Sequence, residues 1–512
     1  MNPLAKFLSL LGATVLTLFV LRWTALLIFD TRQILSISIF SMFIYGTLLF
    51  GEFRLAFAFG GIALLMICNL LTVERFTQAA SLDVLIFLIG TFLVVGFLEE
   101  NRFFEHVVSG IMKAIGPRPQ SLLLVLMMIG SVSSALVGEV TAILFMAGAM
   151  LHLTTRYKLN PVPFIIMLVF ACNNGSAMSS IGNPIGVLIA LKTGLGFIDF
   201  LKWAAPVAIV VNIVVYGICR WWFASAFNSF AEAVQMEFAA QRSLRVAVPV
   251  GAGGGDAGLI DVHPDTGSAL DSSLDDAEEP DDIEDPDARQ TQVICWGILA
   301  GLIAMLVTHK QVENLFGLHE GTMMVAAALT MGAVVLLIRR ENARELVERR
   351  VDWWTLSFFM MLFASVGTLQ DTKVTEVIAA KLTSAGGSQT QVIQVVGWAT
   401  GWLSAFLDNV LAVATFMPVV HDVRVEAGVP YSSAIYWLML FGGTFMGNMT
   451  IIGSTANIVA VGLLEKRGHG TIRFGYWMKI GFLVSIASML VASAMLALQS
   501  RWIPLLPPPG PQ

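Results

Sequence analysis

Apolar runs approaching the thickness of a bilayer recur along the chain, at residues 34–50, 55–73, 83–98, 293–307 and 321–338. A membrane-spanning helix needs ~20 predominantly apolar residues. Only 13% of the residues are charged and the mean hydropathy is +0.77, against about 25% charged in ordinary soluble domains. These features exclude a soluble enzyme, a nucleic-acid binder and a secreted disulfide scaffold. They predict one all-α integral membrane protein, with room in 512 residues for about 11 to 14 membrane segments. A first span is expected over 7–29; with Arg22–Trp23 interrupting it and no small-x-small site after it, a cleaved signal peptide fits poorly.

The net charge of −6 conceals a segregation. Residues 229–290 hold fifteen acids against Arg242, Arg245 and Arg289, a net of −12, which leaves the rest at +6. This stretch is poor in apolar residues and high in like charge, so it is expected to be a disordered insert. The expected divisions are N-terminal membrane helices (1–80), a first transport repeat (81–225), the acidic insert (226–291), linking helices (292–350), a second transport repeat (351–499) and a Pro-rich tail (500–512). Five arginines between Arg339 and Arg350 mark a cytoplasmic loop, and counting spans back from it puts the insert on the same side. Trp221-Trp222 and Trp353-Trp354 read as interface anchors.

Three patterns recur in the same order. Asp83-Val-Leu-Ile-Phe-Leu-Ile-Gly opens one helix and Asp352-Trp-Trp-Thr-Leu-Ser-Phe-Phe another. Ser134-Ala-Leu-Val-Gly138-Glu139-Val-Thr answers to Ser404-Ala-Phe-Leu-Asp408-Asn409-Val-Leu. Ser180-Ile-Gly182-Asn183-Pro184 answers to Ile451-Ile-Gly453-Ser454-Thr455. The offsets are 269, 270 and 271 residues. Two-fold repeats of hydrophobic helices, often inverted, mark secondary transporters whose broken helices hold cargo near the midplane.

Four breaks are expected. The first contains Gly138 and Glu139, the second Asp408 and Asn409. An ionisable residue inside an apolar run is a functional candidate by default, although Asp408 also suits a helix cap. The third runs from Cys172 to Pro184, with Asn173, Asn174, Gly175, Ser176, Gly182 and Asn183. The fourth runs from Gly447 to Asn457, with Asn448, Thr450, Gly453, Ser454 and Thr455. Amide and hydroxyl oxygens there would serve Na⁺ or an oxyanion; unwound backbone at that depth requires a protein-lined or water-filled cavity. Cys68, Cys172, Cys219 and Cys295 are widely spaced without CxxC, so neither zinc nor a disulfide framework is indicated. The histidines fall mostly in expected loops, His309 among them. HExxH and the phosphate-binding GxxxxGK[ST] are absent, which argues against a zinc protease and against direct ATP drive.

Gly447-Asn-Met-Thr-Ile-Ile-Gly-Ser-Thr-Ala-Asn457 and the charged turn after it resemble the glycine-rich "GGNATLIGASAN" segment of the ion transporter superfamily, in particular the ArsB/NhaD-type permeases and their citrate-transporter-like and divalent anion:sodium symporter relatives. Ser404-Ala-Phe-Leu-Asp408-Asn409-Val, with Pro418, is similar to "SA-x-LDN-V". Ser180-Ile-Gly-Asn183-Pro184 stands where relatives carry "LIGDPPN". Gly138-Glu139 departs from the Asp-Asn pair, and Asn183 from an aspartate. The resemblance implies two inverted repeats, each with a re-entrant hairpin and a discontinuous helix, and an elevator-like dimer.

The expectation is a secondary transporter of a small ion in a bacterial inner membrane, with no cofactor beyond a coupling Na⁺ or H⁺ and no nucleic-acid partner. Glu139 and Asp408 would bind that cation; Asn173, Asn174, Ser176, Asn183, Asn409, Asn448, Thr450, Ser454, Thr455 and Asn457 would line the site. Na⁺/H⁺ antiport, arsenite-like oxyacid transport and carboxylate transport stay open. The absence of arginine from the breaks favours cation exchange, a neutral oxyacid or a sodium-assisted anion. A membrane enzyme lacks a nucleophile–base pair. A scaffold or sensor working through the acidic insert is the rival of another class.

Overall fold

The computed structural model describes residues 3–23, 29–115, 119–246, 286–384, 388–427, 433–468 and 470–502, and these form helices and connecting turns without a strand. The chain opens with α1 (Pro3–Trp23), α2 (Thr31–Leu49), α3 (Arg54–Ile67), α4 (Val73–Ala79), α5 (Leu82–Glu100) and α6 (Phe103–Ile115). Next come α7 (Pro119–Val137), α8 (Glu139–Arg156), α9 (Val162–Ser176), α10 (Pro184–Thr193) and α11 (Phe197–Trp222). A linking helix, α12 (Ala224–Val246), precedes the second set: α13 (Pro286–Phe316), α14 (Thr322–Ile338), α15 (Ala343–Arg350), α16 (Trp353–Asp371) and α17 (Val374–Ser384). The chain ends with α18 (Gln389–Ser404), α19 (Asn409–Ala427), α20 (Ala434–Phe445), α21 (Thr455–Lys466) and α22 (Phe474–Trp502). Five described helices are long and apolar enough to cross a membrane, and seven shorter apolar helices accompany them.

The repeat seen in the sequence is a repeat of elements. Leu82 and Trp353 open α5 and α16, Glu139 and Asn409 open α8 and α19, and Pro184 and Thr455 open α10 and α21. The correspondence reaches single backbone angles. Arg102 (φ 47°) and Lys373 (φ 61°), the residues before α6 and α17, both take the left-handed conformation that non-glycine residues seldom adopt. The two halves exchange partners: α14 packs on α5 and α3 on α16, while α21 packs on α8 and α19 on α10. Neither repeat completes its own core.

The centre is formed by α9 and α20, which pack against each other. Residues Pro163 to Ser176 of α9 and every residue of α20 are buried, as expected of a helix that is apolar on all sides. The helix α9 runs on through residues 173–176, past the Cys172 at which the break was expected to begin, and α20 ends at Phe445; a short stretch without regular α-helix follows each, before α10 and α21. Pro184 sits at the first position of α10, where its missing N–H costs nothing, and the Asn183 side chain caps the helix by accepting from the Gly186 N–H at 2.6 Å. Ser454 caps α21, accepting from Ala456 N–H at 3.2 Å. Matching bonds stitch the last turns of α9 and α20 to α7 and α18: the Ser134 hydroxyl donates to the Cys172 carbonyl and Ser404 to Gly443, each at 2.6 Å. Ser179 and Thr450 donate to the carbonyls of Ala135 and Ala405.

Three expectations change. The segment taken as a disordered insert is helical at both described ends, as α12 and the start of α13; residues 247–285, with most of the acidic block, lie outside the described residues, as does the tail from 503. The arginine-rich stretch contains a helix, α15, whose Arg350 reaches Glu99 and Glu100 at the end of α5, at 3.2 Å each. His309 is buried within α13 instead of lying in a loop. The cysteines are free, and only Cys68 is exposed.

Close packing gives a test. A Cβ at Gly175 would fall on the backbone of Ser131, whereas one at Gly217 would meet nothing within 4 Å. Overpacking of this kind costs about 1–3 kcal/mol. Gly175→Ala is expected to lower the thermal midpoint of the purified protein by several degrees and Gly217→Ala to leave it unchanged, as read by loss of the monodisperse peak after heating.

Candidate functional site

The unwound stretches and the starts of α8 and α19 meet at one buried carboxylate. Glu139, the first residue of α8, is 6% exposed. Gly138 before it has φ 95° and ψ 154°, a conformation open mainly to glycine. One Glu139 oxygen accepts from Asn409 Nδ2 at 2.9 Å and from Ser454 Oγ at 3.2 Å. The other accepts from Ser176 Oγ at 2.9 Å. Asn183 Nδ2 in turn donates to Ser176 Oγ at 2.7 Å. Three donors satisfy an ionised carboxylate that would otherwise be costly at this depth.

An amide network surrounds it. Asn173 Nδ2 donates to the side-chain oxygens of Asn448 and Asn457, each at 2.7 Å, and Asn173 Oδ1 lies 3.1 Å from Ser454 Oγ, whose one proton it shares with Glu139. Asn457 Nδ2 donates to the carbonyls of Gly447 and Thr450, which fixes the unwound backbone of the second repeat. Asn448 Nδ2 donates to Asn174 Oδ1 at 2.9 Å, and Trp477 Nε1 donates to the Asn448 carbonyl at 3.0 Å. Every asparagine in the network is held on both amide atoms or by both repeats, so the network fixes geometry as well as solvating charge.

Most of the residues expected from the sequence therefore converge: Glu139, Asn173, Asn174, Ser176, Asn183, Asn409, Asn448, Ser454 and Asn457. Three occupy other roles. Thr450 is turned away, toward the Ala405 carbonyl. Asp408 is half-buried at the edge; its Oδ1 accepts from Val410 N–H at 3.0 Å and its Oδ2 from Thr455 Oγ1 at 3.3 Å. That is the bonding of a helix cap. Sequence reasoning missed Asn212 of α11 and Ser131 of α7. Asn174 Nδ2 donates to Asn212 Oδ1 at 3.0 Å, and Asn212 Nδ2 donates to Ser131 Oγ at 2.6 Å. A lone amide within the apolar run of α11 was the available signal.

Helix polarity adds to the site. Glu139 and Asn409 are the first residues of α8 and α19, Ser454 caps α21, and Asn183, which caps α10, is joined through Ser176. The starts of α8, α19 and α21 thus meet at one carboxylate, and the start of α10 is linked to it through Ser176. Each carries roughly half a positive charge, which favours the Glu139 carboxylate, while the Asp408 carboxylate at the starts of α19 and α21 offsets part of it.

Paired repeats with broken helices that meet at a buried polar centre define a helical membrane transporter, and the comparisons agree. The chain belongs to the citrate transporter family, CitMHS, whose pattern matches residues 45–442 and again 366–506, so the citrate-transporter-like resemblance is borne out at the family level. An uncharacterized transporter of Mycobacterium tuberculosis is 27% identical over 419 residues, covering 81% of this chain and 86% of the relative. The 46 kDa membrane protein of Mycobacterium leprae is 28% identical over 421 residues, with the same coverage. The human P protein is 25% identical over 456 residues, and this chain spans only 53% of it. The YdaH transporter of Alcanivorax borkumensis has the same fold at a TM-score of 0.53 and 15% identity, over 86% of this chain and 89% of that one. The protein is a multi-pass membrane transporter.

The different bonding of the two acids predicts a graded outcome. Asp408→Asn keeps a good capping residue and should leave a folded protein with reduced transport. Ser454→Ala removes the hydroxyl that Glu139 and Asn173 share and that caps α21, and its transport should fall further, at least tenfold. Initial uptake rates normalised to folded protein would check the order; the reverse order would make Asp408 the more important group.

Proposed function

We propose that the protein is a proton-coupled symporter of a small anion of the carboxylate class, with Glu139 as the proton carrier. The observation that carries this reading is the meeting of helix N-termini from both repeats at a single carboxylate. Such ends are ready anion sites, and here a built-in anion occupies the site. When Glu139 is ionised, it takes the Asn409, Ser454 and Ser176 donors. When a proton neutralises it, those donors and the helix ends are released to a substrate carboxylate. The centre then holds one internal or one external anion, which couples proton uptake to cargo binding. Positive potential comes from helix ends, so the lack of an arginine in the breaks does not count against an anion.

A proton suits this carrier better than Na⁺. The groups facing Glu139 are an amide NH₂ and two hydroxyls acting as donors, whereas Na⁺ needs converging oxygen lone pairs. Glu139→Gln fixes the neutral state. The signs follow: in the wild type, anion affinity rises as the pH falls, because only the protonated site accepts the anion.

Proteoliposomes with an internal pH dye, given citrate, succinate, arsenite, Na⁺ and Li⁺ in turn, test the reading. Proton movement is expected with a carboxylate. The Glu139→Gln variant should retain anion exchange, lose proton movement and lose the pH dependence of affinity. Proton movement driven by Na⁺ or Li⁺ alone, with no response to anions, would replace this reading by cation/proton antiport.

A further inference from the structure

A second polar centre lies away from the transport site, where the end of α10 faces α13 and the start of α14. It is a cavity of about 170 Å³, lined by His309, Lys310, Glu313, Glu320 and the backbone near Gly194. His309 and Glu313 are 5% and 4% exposed. They are four residues apart on α13, so they lie one above the other on the same helix face. Neither takes part in the network around Glu139.

The bonding of each leaves one atom free for a ligand. His309 Nδ1 is 2.7 Å from the Leu306 carbonyl. A carbonyl oxygen only accepts, so Nδ1 carries the proton and the lone pair of the neutral ring is on Nε2. Holding one ring nitrogen on a backbone carbonyl is the usual way of orienting a metal-binding imidazole. Glu313 Oε1 accepts from the Met323 N–H at 2.9 Å, and no described hydrogen bond engages its second oxygen. The neighbouring positive charge is already paired: Lys310 Nζ is 2.7 Å from Asp199 Oδ2. Glu313 and Glu320 are left as the carboxylates of the cavity wall.

We propose that this cavity binds a borderline divalent cation of the Zn²⁺ type, through His309 Nε2 and the free Glu313 oxygen. Imidazole nitrogen with carboxylate oxygen is a donor set for Zn²⁺, Co²⁺ or Ni²⁺, while Mg²⁺ prefers oxygen alone and keeps its waters. No group of three His, Cys, Asp or Glu side chains is placed for a metal among the described residues, so water completes the shell and the ion exchanges. The cavity is at the opposite end of α14 from the arginine-rich turn, the face that the positive-inside rule assigns to the exterior. Its wall includes Ala190, Gly194 and Leu195, at the end of the helix that Asn183 caps. Both ligands stand on α13, and the ion fills the space between them and the end of α10, so it opposes closure of α10 onto α13.

The test uses the full purified chain in detergent, with Co²⁺ as a visible-absorption probe, Zn²⁺ as competitor and Mg²⁺ as control. His309→Asn keeps a donor for the Leu306 carbonyl and removes Nε2; Glu313→Gln keeps an acceptor for Met323 N–H and removes the charge. Each should weaken Co²⁺ binding at least tenfold, while Glu139→Gln binds like the wild type and Mg²⁺ does not compete. In proteoliposomes, external Zn²⁺ should slow the wild type but not His309→Asn. Equal binding by wild type and both cavity variants, or loss of binding in Glu139→Gln alone, would overturn the site. Binding without slowing would overturn the effect on α10.

Discussion

The hydrogen bond from Asn409 to Glu139 joins the first residues of equivalent helices in the two repeats, and the rest of the centre is organised around it. A carboxylate buried among helices is tolerated only if its oxygens are bonded. Here the donors come from α9, from the start of α19 and from the cap of α21, so satisfying the charge forces both repeats to meet at one point. The exchanged packing of α14 on α5 and α3 on α16 holds the outer helices in the same arrangement.

Equivalent positions carry different chemistry, and the asymmetry has a physical reason. Two carboxylates facing each other in low dielectric would repel strongly. Glutamate against asparagine turns that repulsion into a bond. The same holds at the helix caps, where Asn183 and Ser454 occupy matching places but only Ser454 reaches Glu139 directly. The structural bonds, by contrast, are conserved between halves: Ser134 with Ser404, and Ser179 with Thr450, make the same contacts.

Much of this was legible because membrane burial makes polar residues conspicuous. Asn173-Asn174-Gly175-Ser176 interrupts an apolar run abruptly enough to signal the break, which the structure places just after them, beyond Ser176, and the constant offset paired it with the second stretch. Asn212 and Ser131 were not legible in this way, since one polar residue in an apolar helix resembles an ordinary packing residue. His309 looked like a loop histidine because α13 continues past its apolar core to Phe316. The length of α12 was missed because residues from 226 on were grouped with the acidic stretch, although Ala224–Val246 holds only Glu232 and Glu237 against Arg242 and Arg245.

The sequence by itself determined the helical membrane architecture, the repeat and the positions of the breaks, because hydropathy and spacing are local properties that the bilayer enforces. Only the tertiary structure decided which acid lies at the centre. Glu139 and Asp408 each precede an apolar run, yet one is surrounded by donors from both repeats and the other caps its own helix. That difference comes from contacts between residues about 270 positions apart, which no local pattern encodes.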